Sequence, residues 1–227
     1  NTKYFFDNAN LSSKISYRYD IAHFYGYSSD LANSIEAKDI RQIFNTMGFS
    51  IKYKSNDFET DFQYQADLKT HYFTNKHGAK EFEINPELGA KYKLNAQNAH
   101  MGLQFGTSIS ALQDITNTNQ NSVDSKRYLA WIAPLFEKKI RSLSFKLGTN
   151  LTYTNDTLYT EKQLFFYPNA SVNYAFMGGN IEVYTQLKGE MEKNMLRDLV
   201  QENPYAQAQL AVFNQDKQWA ATLGVKG

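Results

Sequence analysis

Four histidines, His23, His71, His77 and His100, and the pair Glu81 and Glu83 are the residues of this 227-residue sequence whose types invite chemistry. The histidines show neither the HExxH arrangement nor another close spacing that places two imidazoles on one metal ion, so a metal centre would have to be assembled by folding. Glu81 and Glu83 stand two residues apart, which puts both carboxylates on one side of a strand, where they could hold a cation. Alternating charge along a wet strand face accounts for them equally well. No Gly-x-Ser-x-Gly elbow and no glycine-rich phosphate cradle occurs. With no cysteine, disulfides, thiolate metal sites and thiol nucleophiles are also excluded. No catalytic residue, metal ligand or cofactor site is therefore assigned, and the chain is read as a non-enzyme.

Charge and hydropathy exclude further classes. The 24 basic residues nearly balance the 23 acidic ones, and the five arginines, Arg18, Arg41, Arg127, Arg141 and Arg197, are scattered. Neither a basic field nor a phosphate-reading cluster results, so nucleic acid is not an expected partner. No stretch approaches the ~18 to 20 consecutive apolar residues of a membrane helix. Aromatic residues make up 15% of the chain, a content that suits both β-strands and membrane interfaces. The first residue is Asn1, and the chain is expected to be a processed form or a fragment.

The elements that must position these side chains are strands. In 142–154, Leu143, Phe145, Leu147, Leu151 and Tyr153 alternate with Ser144, Lys146, Gly148, Asn150 and Thr152, the period of two that separates the faces of a strand. Eleven such runs are expected, at 11–27, 49–54, 58–73, 80–94, 100–112, 127–137, 143–154, 163–176, 181–191, 206–213 and 218–227. Short connections (55–56, 95–98, 138–142, 177–180, 214–217) alternate with longer ones (28–48, 74–79, 113–126, 155–162, 192–205). In an up-and-down meander this places short turns at one end and long loops at the other. Two loops carry helical spacing, through Ile40, Ile43, Phe44 and Met47 and through Met191, Met195, Leu196, Leu199 and Val200. Pro86, Pro134 and Pro168 fall inside expected strands, where bulges or shifted boundaries are anticipated.

For each run one face can be chosen as apolar, and these faces are expected to be free of Asp, Glu, Lys and Arg. Phe145, Leu147, Leu151, Val172, Tyr174 and Leu187 are the candidates to meet lipid, and Leu129, Trp131 and Leu135 continue the pattern. Lys or Arg at a lipid-facing position of a membrane barrel costs about 2–4 kcal/mol at the midplane, enough to enforce such exclusion. Most runs also reach the ~9–11 residues needed to cross a bilayer obliquely. The opposite faces supply candidates to line a hydrated lumen: Arg18, Asp61, Asp67, Glu81, Glu83, Lys91, Lys146, Glu182 and Lys188. Aromatics near strand ends, Phe49, Tyr72, Tyr92, Trp131, Tyr153, Phe176 and Trp219, suit interfacial girdles.

At "LFFYPNASVNYAF" (164–176), "LKGEMEKNMLRDLVQENPYAQ" (187–207) and "LGVKG" (223–227), the sequence resembles outer-membrane β-barrel proteins of Bacteroidota, many of them TonB-dependent-receptor-like. Tyr167-Pro168, the 189–194 run and Asn203-Pro204-Tyr205 carry the likeness, which covers roughly the last hundred residues. The resemblance implies an outer-membrane barrel serving uptake or a larger envelope assembly. Unlike that group, the sequence shows no plug domain, no TonB-box-like leader and no terminal aromatic strand. Together with an odd strand count, this leads to the expectation that the chain is an incomplete portion of the barrel.

The fold class expected is therefore all-β, an antiparallel up-and-down transmembrane β-barrel formed as one domain over 1–227. Its expected place is the outer membrane of a Gram-negative bacterium, its partners the lipid bilayer and other outer-membrane or periplasmic subunits. A transporter, receptor or porin-like conduit is the first functional reading. A non-transporting structural or assembly subunit is the second, and a soluble β-sandwich binding module the third.

Overall fold

The computed structural model describes residues 1–23, 36–55, 61–76, 78–94, 98–114, 123–156, 163–205 and 212–227. Eleven antiparallel strands form one sheet in which every strand pairs with its neighbours in sequence. They are β1 (Thr2–Phe5), β2 (Ala9–His23), β3 (Arg41–Ser55), β4 (Phe62–Asn75), β5 (Lys80–Leu94), β6 (Ala99–Asp114), β7 (Val123–Ile140), β8 (Leu143–Thr154), β9 (Leu164–Phe176), β10 (Ile181–Glu192) and β11 (Gln215–Lys226). The sheet is open, since β1 pairs only with β2 and β11 only with β10. Helix α1 (Ala37–Ile40) precedes β3, and α2 (Leu196–Glu202) lies between β10 and β11. No helix among the described residues is long and apolar enough to cross a membrane.

Short connections, at 6–8, 56–61, 95–98, 141–142 and 177–180, gather at one end of the sheet. At the other end lie 24–40, 76–79, 115–122, 155–163 and 193–214, of which only 76–79 is short. The ladder registers place opposed residues on one face. Leu11, Tyr53, Ala66, Leu88, Phe105, Ile132, Leu151 and Phe166 form one continuous row across β2 to β9. This face is uncovered: Leu147, Val172 and Leu187 are 54%, 42% and 39% exposed, and Tyr174 and Leu151 lie with them. Phe145, paired with Val172 on the same face, is half-buried.

The opposite face is covered at the long-loop end. Leu196, Leu199 and Val200 of α2, with Val212, pack against Ala22 of β2, Phe44 of β3, Phe73 of β4 and Leu112 of β6. From β2 to β6 a flat sheet is about 19 Å wide at ~4.8 Å per strand, whereas a seven-residue helix is only about 10 Å long. One short segment can touch all of these strands because the sheet curls around it. We call this concave side the inner face.

Several expectations are corrected. Of the helical spacing over Ile40 to Met47 only Ile40 lies in a helix, as the last residue of α1; Ile43, Phe44 and Met47 belong to β3, where Ile43 and Phe44 pair with Ile21 and Asp20. Strand β1 was not anticipated. The run 206–213 is not a strand in its described part: Val212 is buried against α2, and 206–211 lie outside the described residues, as do 24–27 and 58–60 of two other runs. Residues 215–217 belong to β11 rather than to a turn. In β7 the chosen face is the wrong one. Leu129 is buried in a cluster with Phe165, Tyr167 and Met191, Trp131 packs against it, and Leu135 pairs with the inward Gly148. These residues share their side with Arg127 and Glu137, so the outward positions of β7 are Tyr128, Ile132 and Phe136. Trp131 is therefore no girdle residue. The indole closes over Gly106, where an added Cβ would lie 2.6 Å from the ring.

None of the prolines ends a strand, and at Pro86 and Pro134 the sheet keeps its register without a bulge. Pro86, Pro134 and Pro168 pair in register with Leu68, Leu103 and Thr149. On its other side each interrupts or ends the ladder: pairing of β5 with β6 skips from Ile84 to Glu87, that of β7 with β8 from Ile132 to Leu135, and that of β9 with β10 stops at Asn169. Proline lacks one donor, so one side of the ladder is lost while the register survives. The register shift between Lys188 and Glu190 in β10 lies across from Pro168, since Lys188 is the last residue of β10 to pair with β9, at Asn169.

With β7 corrected, the outward face is free of charge over a defined height. The outward positions of β2 (11–23), β3 (43–53), β4 (62–74), β5 (82–94), β6 (99–113), β8 (143–153), β9 (164–176) and β10 (181–187) contain no Asp, Glu, Lys or Arg. In β7 the outward positions 126 and 138 are Lys, and those from Tyr128 to Phe136 are uncharged. That interval is roughly 27 Å along the strand at ~3.3 Å per residue.

Candidate functional site: an ion-paired segment on the inner face

The sequence places its ionic side chains at alternate strand positions, and the registers gather most of them on the inner face. Arg18 pairs with Asp20 at 2.6 Å, and Lys69 lies 3.7 Å from Asp67 and 3.8 Å from Glu87. Lys91 meets Glu137 at 2.5 Å, and Lys146 approaches the same carboxylate at 4.0 Å. Lys188 pairs with Glu190 at 2.6 Å, and Glu182 stands opposite Lys226 in the ladder. Asp61 is the exception. It precedes β4 in a short connection, is exposed, and engages Lys93 through its backbone carbonyl, which accepts the Lys93 N–H at 2.7 Å.

Two of the candidates, Glu81 and Glu83, are almost completely buried, at 2% and 1% exposure. They hold a segment more than a hundred residues later. The Glu81 carboxylate accepts the backbone N–H of Leu196 at 3.0 Å and of Arg197 at 3.1 Å. These are the first two N–H groups of α2, which have no partner within the helix, and Met195 at the N-cap makes no side-chain capping bond to them. A carboxylate from the sheet supplies what the local sequence lacks, and its negative charge suits the helix start.

Glu83 receives two cations. Arg197 Nη1 donates to Oε2 at 3.1 Å, and Lys193 Nζ bonds Oε1 and reaches Asn85 Oδ1 at 3.1 Å. His71 Nδ1 lies 3.3 Å from Glu83 Oε2 without making a hydrogen bond. Burial opposes the charge of Arg197, but Asp198 and Glu83 outweigh it and hold its pKa above the ordinary value. On the far side Arg127 of β7 completes the grip. Its Nη1 donates to Asn194 O at 2.8 Å, to Val212 O at 3.2 Å and to Asp156 Oδ2 at 3.2 Å, while Nη2 lies 3.6 Å from Glu81 Oε1.

The segment 193–205 is thus tied to β5 and β7 by charge and to β2, β3, β4 and β6 by apolar contact. Met195 and Leu196, at 0% and 1% exposure, are among its most buried residues. Buried ion pairs of this kind add little net stability over apolar packing, but removing one partner leaves an uncompensated charge at a cost of about 3–5 kcal/mol. The arrangement fixes where the segment sits, and chemically it is a lock rather than a reaction centre. Among the described residues no group of three His, Asp or Glu side chains could hold a metal ion; His77 lies outside them.

Sequence reasoning found Glu81 and Glu83 but missed Arg127, Asp156, Lys193 and Arg197. A signal for Arg127 was present, since it shares its parity with Leu129 and Trp131, so a cation stood on a face chosen as apolar. Lys193 and Arg197, flanking Met195 and Leu196, were the matching cations within a loop of helical spacing. No protein-family model matches the chain, and no curated protein matches it.

Proposed function

We propose that the chain forms the wall of a β-barrel in the outer membrane of a Gram-negative bacterium, acting as a transporter, receptor or porin-like conduit. One observation carries this reading: the sheet turns its large apolar side chains outward, uncharged over a membrane-like height, and its ion pairs inward. In a protein surrounded by water that arrangement is inverted, because exposed apolar area costs about 25 cal/mol per Å². In lipid it is the favoured one, with mixed charges around a hydrated interior. The alternation of short turns and long loops supports the same reading, as does the resemblance of roughly the last hundred residues to outer-membrane barrels. A soluble sandwich would need a second sheet over Leu147 and Leu187, whereas the described residues form one sheet.

The absence of cysteine makes the test direct. Leu147→Cys and Lys146→Cys, adjacent but on opposite faces, are reconstituted into vesicles and treated with a water-soluble maleimide. Labelling of the Lys146 variant, with the Leu147 variant protected until detergent is added, is expected. Equal labelling of both in intact vesicles would remove the membrane reading.

A second reading, a non-transporting structural or assembly subunit bound to other envelope proteins, is favoured by the filled inner face at the long-loop end. Conductance steps in planar bilayers support the conduit. Silence from both the natural chain and a variant with a loosened 193–205 segment supports the subunit.

A further inference from the structure

Charge on the inner face is polarised. At the long-loop end Glu81, Glu83 and Asp156 are matched by Arg127, Lys193 and Arg197. At the short-turn end, β5 to β8 bring Lys93, His100, Glu137 and Lys146 into one cross-strand row. Lys91 lies next to that row and is bonded to Glu137, while Lys139 follows two residues after Glu137 on the same face. Of these four lysines, Lys91 and Lys146 pair with the Glu137 carboxylate. Among the described residues neither Lys93 nor Lys139 has an ion-pair partner. Lys91, His100, Glu137, Lys139, Lys146 and Asn173 line a cavity of about 580 Å³. Small-molecule sites typically span ~300–1,000 Å³.

We propose that this cavity binds small multivalent anions, solutes bearing two or more phosphate or carboxylate groups, and that Glu137 is the internal counter-ion they displace. Lys91 and Lys146 reach the Glu137 carboxylate from two sides, so a dianion arriving there meets two ammonium groups already converged. Ser144 and Ser171 add hydroxyl donors, and Asn173 an amide, to the same wall. The uncommitted charge of Lys93 and Lys139 supplies the attraction that makes the exchange favourable. The inference rests on the reading that the inner face surrounds water, and it names the class of solute that interior accepts.

Calorimetric titration of the full chain in detergent micelles with inorganic pyrophosphate tests it. Saturable one-to-one binding is expected, weakened about tenfold by Lys91→Gln combined with Lys146→Gln, as for loss of close charge pairs. Glu137→Gln, which removes the competing carboxylate, is expected to tighten binding, and Lys188→Gln, on β10 outside the cluster, to leave it unchanged. Should the double variant lose its β-sheet circular dichroism, Lys139→Gln at the exposed rim is expected to weaken binding about threefold. No saturable binding, an unaltered affinity in Glu137→Gln, or an equal loss in Lys188→Gln would overturn the proposal. Micelles require no bilayer, so failure here leaves the membrane reading standing. A failed maleimide pattern would remove that reading without abolishing pyrophosphate binding.

Discussion

Replacing Glu81 by alanine should release the segment 193–205 while leaving the sheet intact. The substitution removes the acceptor of the Leu196 and Arg197 N–H groups, at 3.0 and 3.1 Å, and the carboxylate 3.6 Å from Arg127. Leu196 and Arg127 are buried, so water does not readily take its place. A hydrogen bond to a charged group contributes about 1.5–3 kcal/mol. Breaking a buried pair by deleting one partner costs about 3–5 kcal/mol. Both costs arise from one carboxylate and overlap, so about 4 kcal/mol is the expected loss for local opening. At 1.4 kcal/mol per decade that is roughly a thousandfold rise in the open population. Hydrogen exchange in micelles reads it directly: amides 196–200 should exchange about a thousandfold faster, with β8 to β10 unchanged. Glu81→Gln, which keeps a neutral acceptor, should fall between. Unaltered exchange at 196–200 would show that the packing of Met195 and Leu196 alone holds the segment. Equal acceleration in β5 and β6 would show that the carboxylate supports the sheet instead, and either result refutes the lock.

Two further outcomes follow from packing. Gly106→Ala places a Cβ 2.6 Å from the Trp131 ring, and overpacking of this kind costs about 1–3 kcal/mol; thermal unfolding should show the loss, and Trp131→Ala in the same chain should recover part of it. Tyr167→Phe removes the bond from the phenol to the Asp216 carboxylate at 2.8 Å, worth about 1.5–3 kcal/mol. Faster amide exchange confined to β11 and the adjoining part of β10 is the expected readout.

The strands whose inward positions carry only polar residues or glycine were legible in the sequence, even where other residues cover them. β5 over 80–94 and β8 over 143–154 match their expected bounds because Lys, Glu and Ser alternate there with Phe, Leu and Tyr. Period two fails where the segment 193–205 and its neighbours meet the inner face through apolar contacts, since inward positions there are apolar as well. Phe44 and Ile43 are adjacent and both apolar for that reason, and the pair imitated a helix. Leu129 points inward because Phe165, Tyr167 and Met191 meet it, and that contact inverted the reading of β7. The lock itself joins Glu81 to Leu196 across 115 residues, a proximity that no local pattern encodes. What the sequence did carry was half of it, the carboxylates at 81 and 83 without their cations.

The split between hairpin contacts and the single long-range clasp has a consequence for how the chain assembles. Each strand finds its partner after a brief chain closure, so the meander can zip up stepwise at small entropic cost. Residues 193–205 have no complete berth until β2 to β7 have met, and docking them must come late. Until then Glu81, Glu83 and Arg127 remain hydrated, and the ionic grip is withheld from any arrangement in which those strands are misregistered. Assembly thereby carries its own proofreading step, in which the last piece to settle reports whether the six strands β2 to β7 are in order.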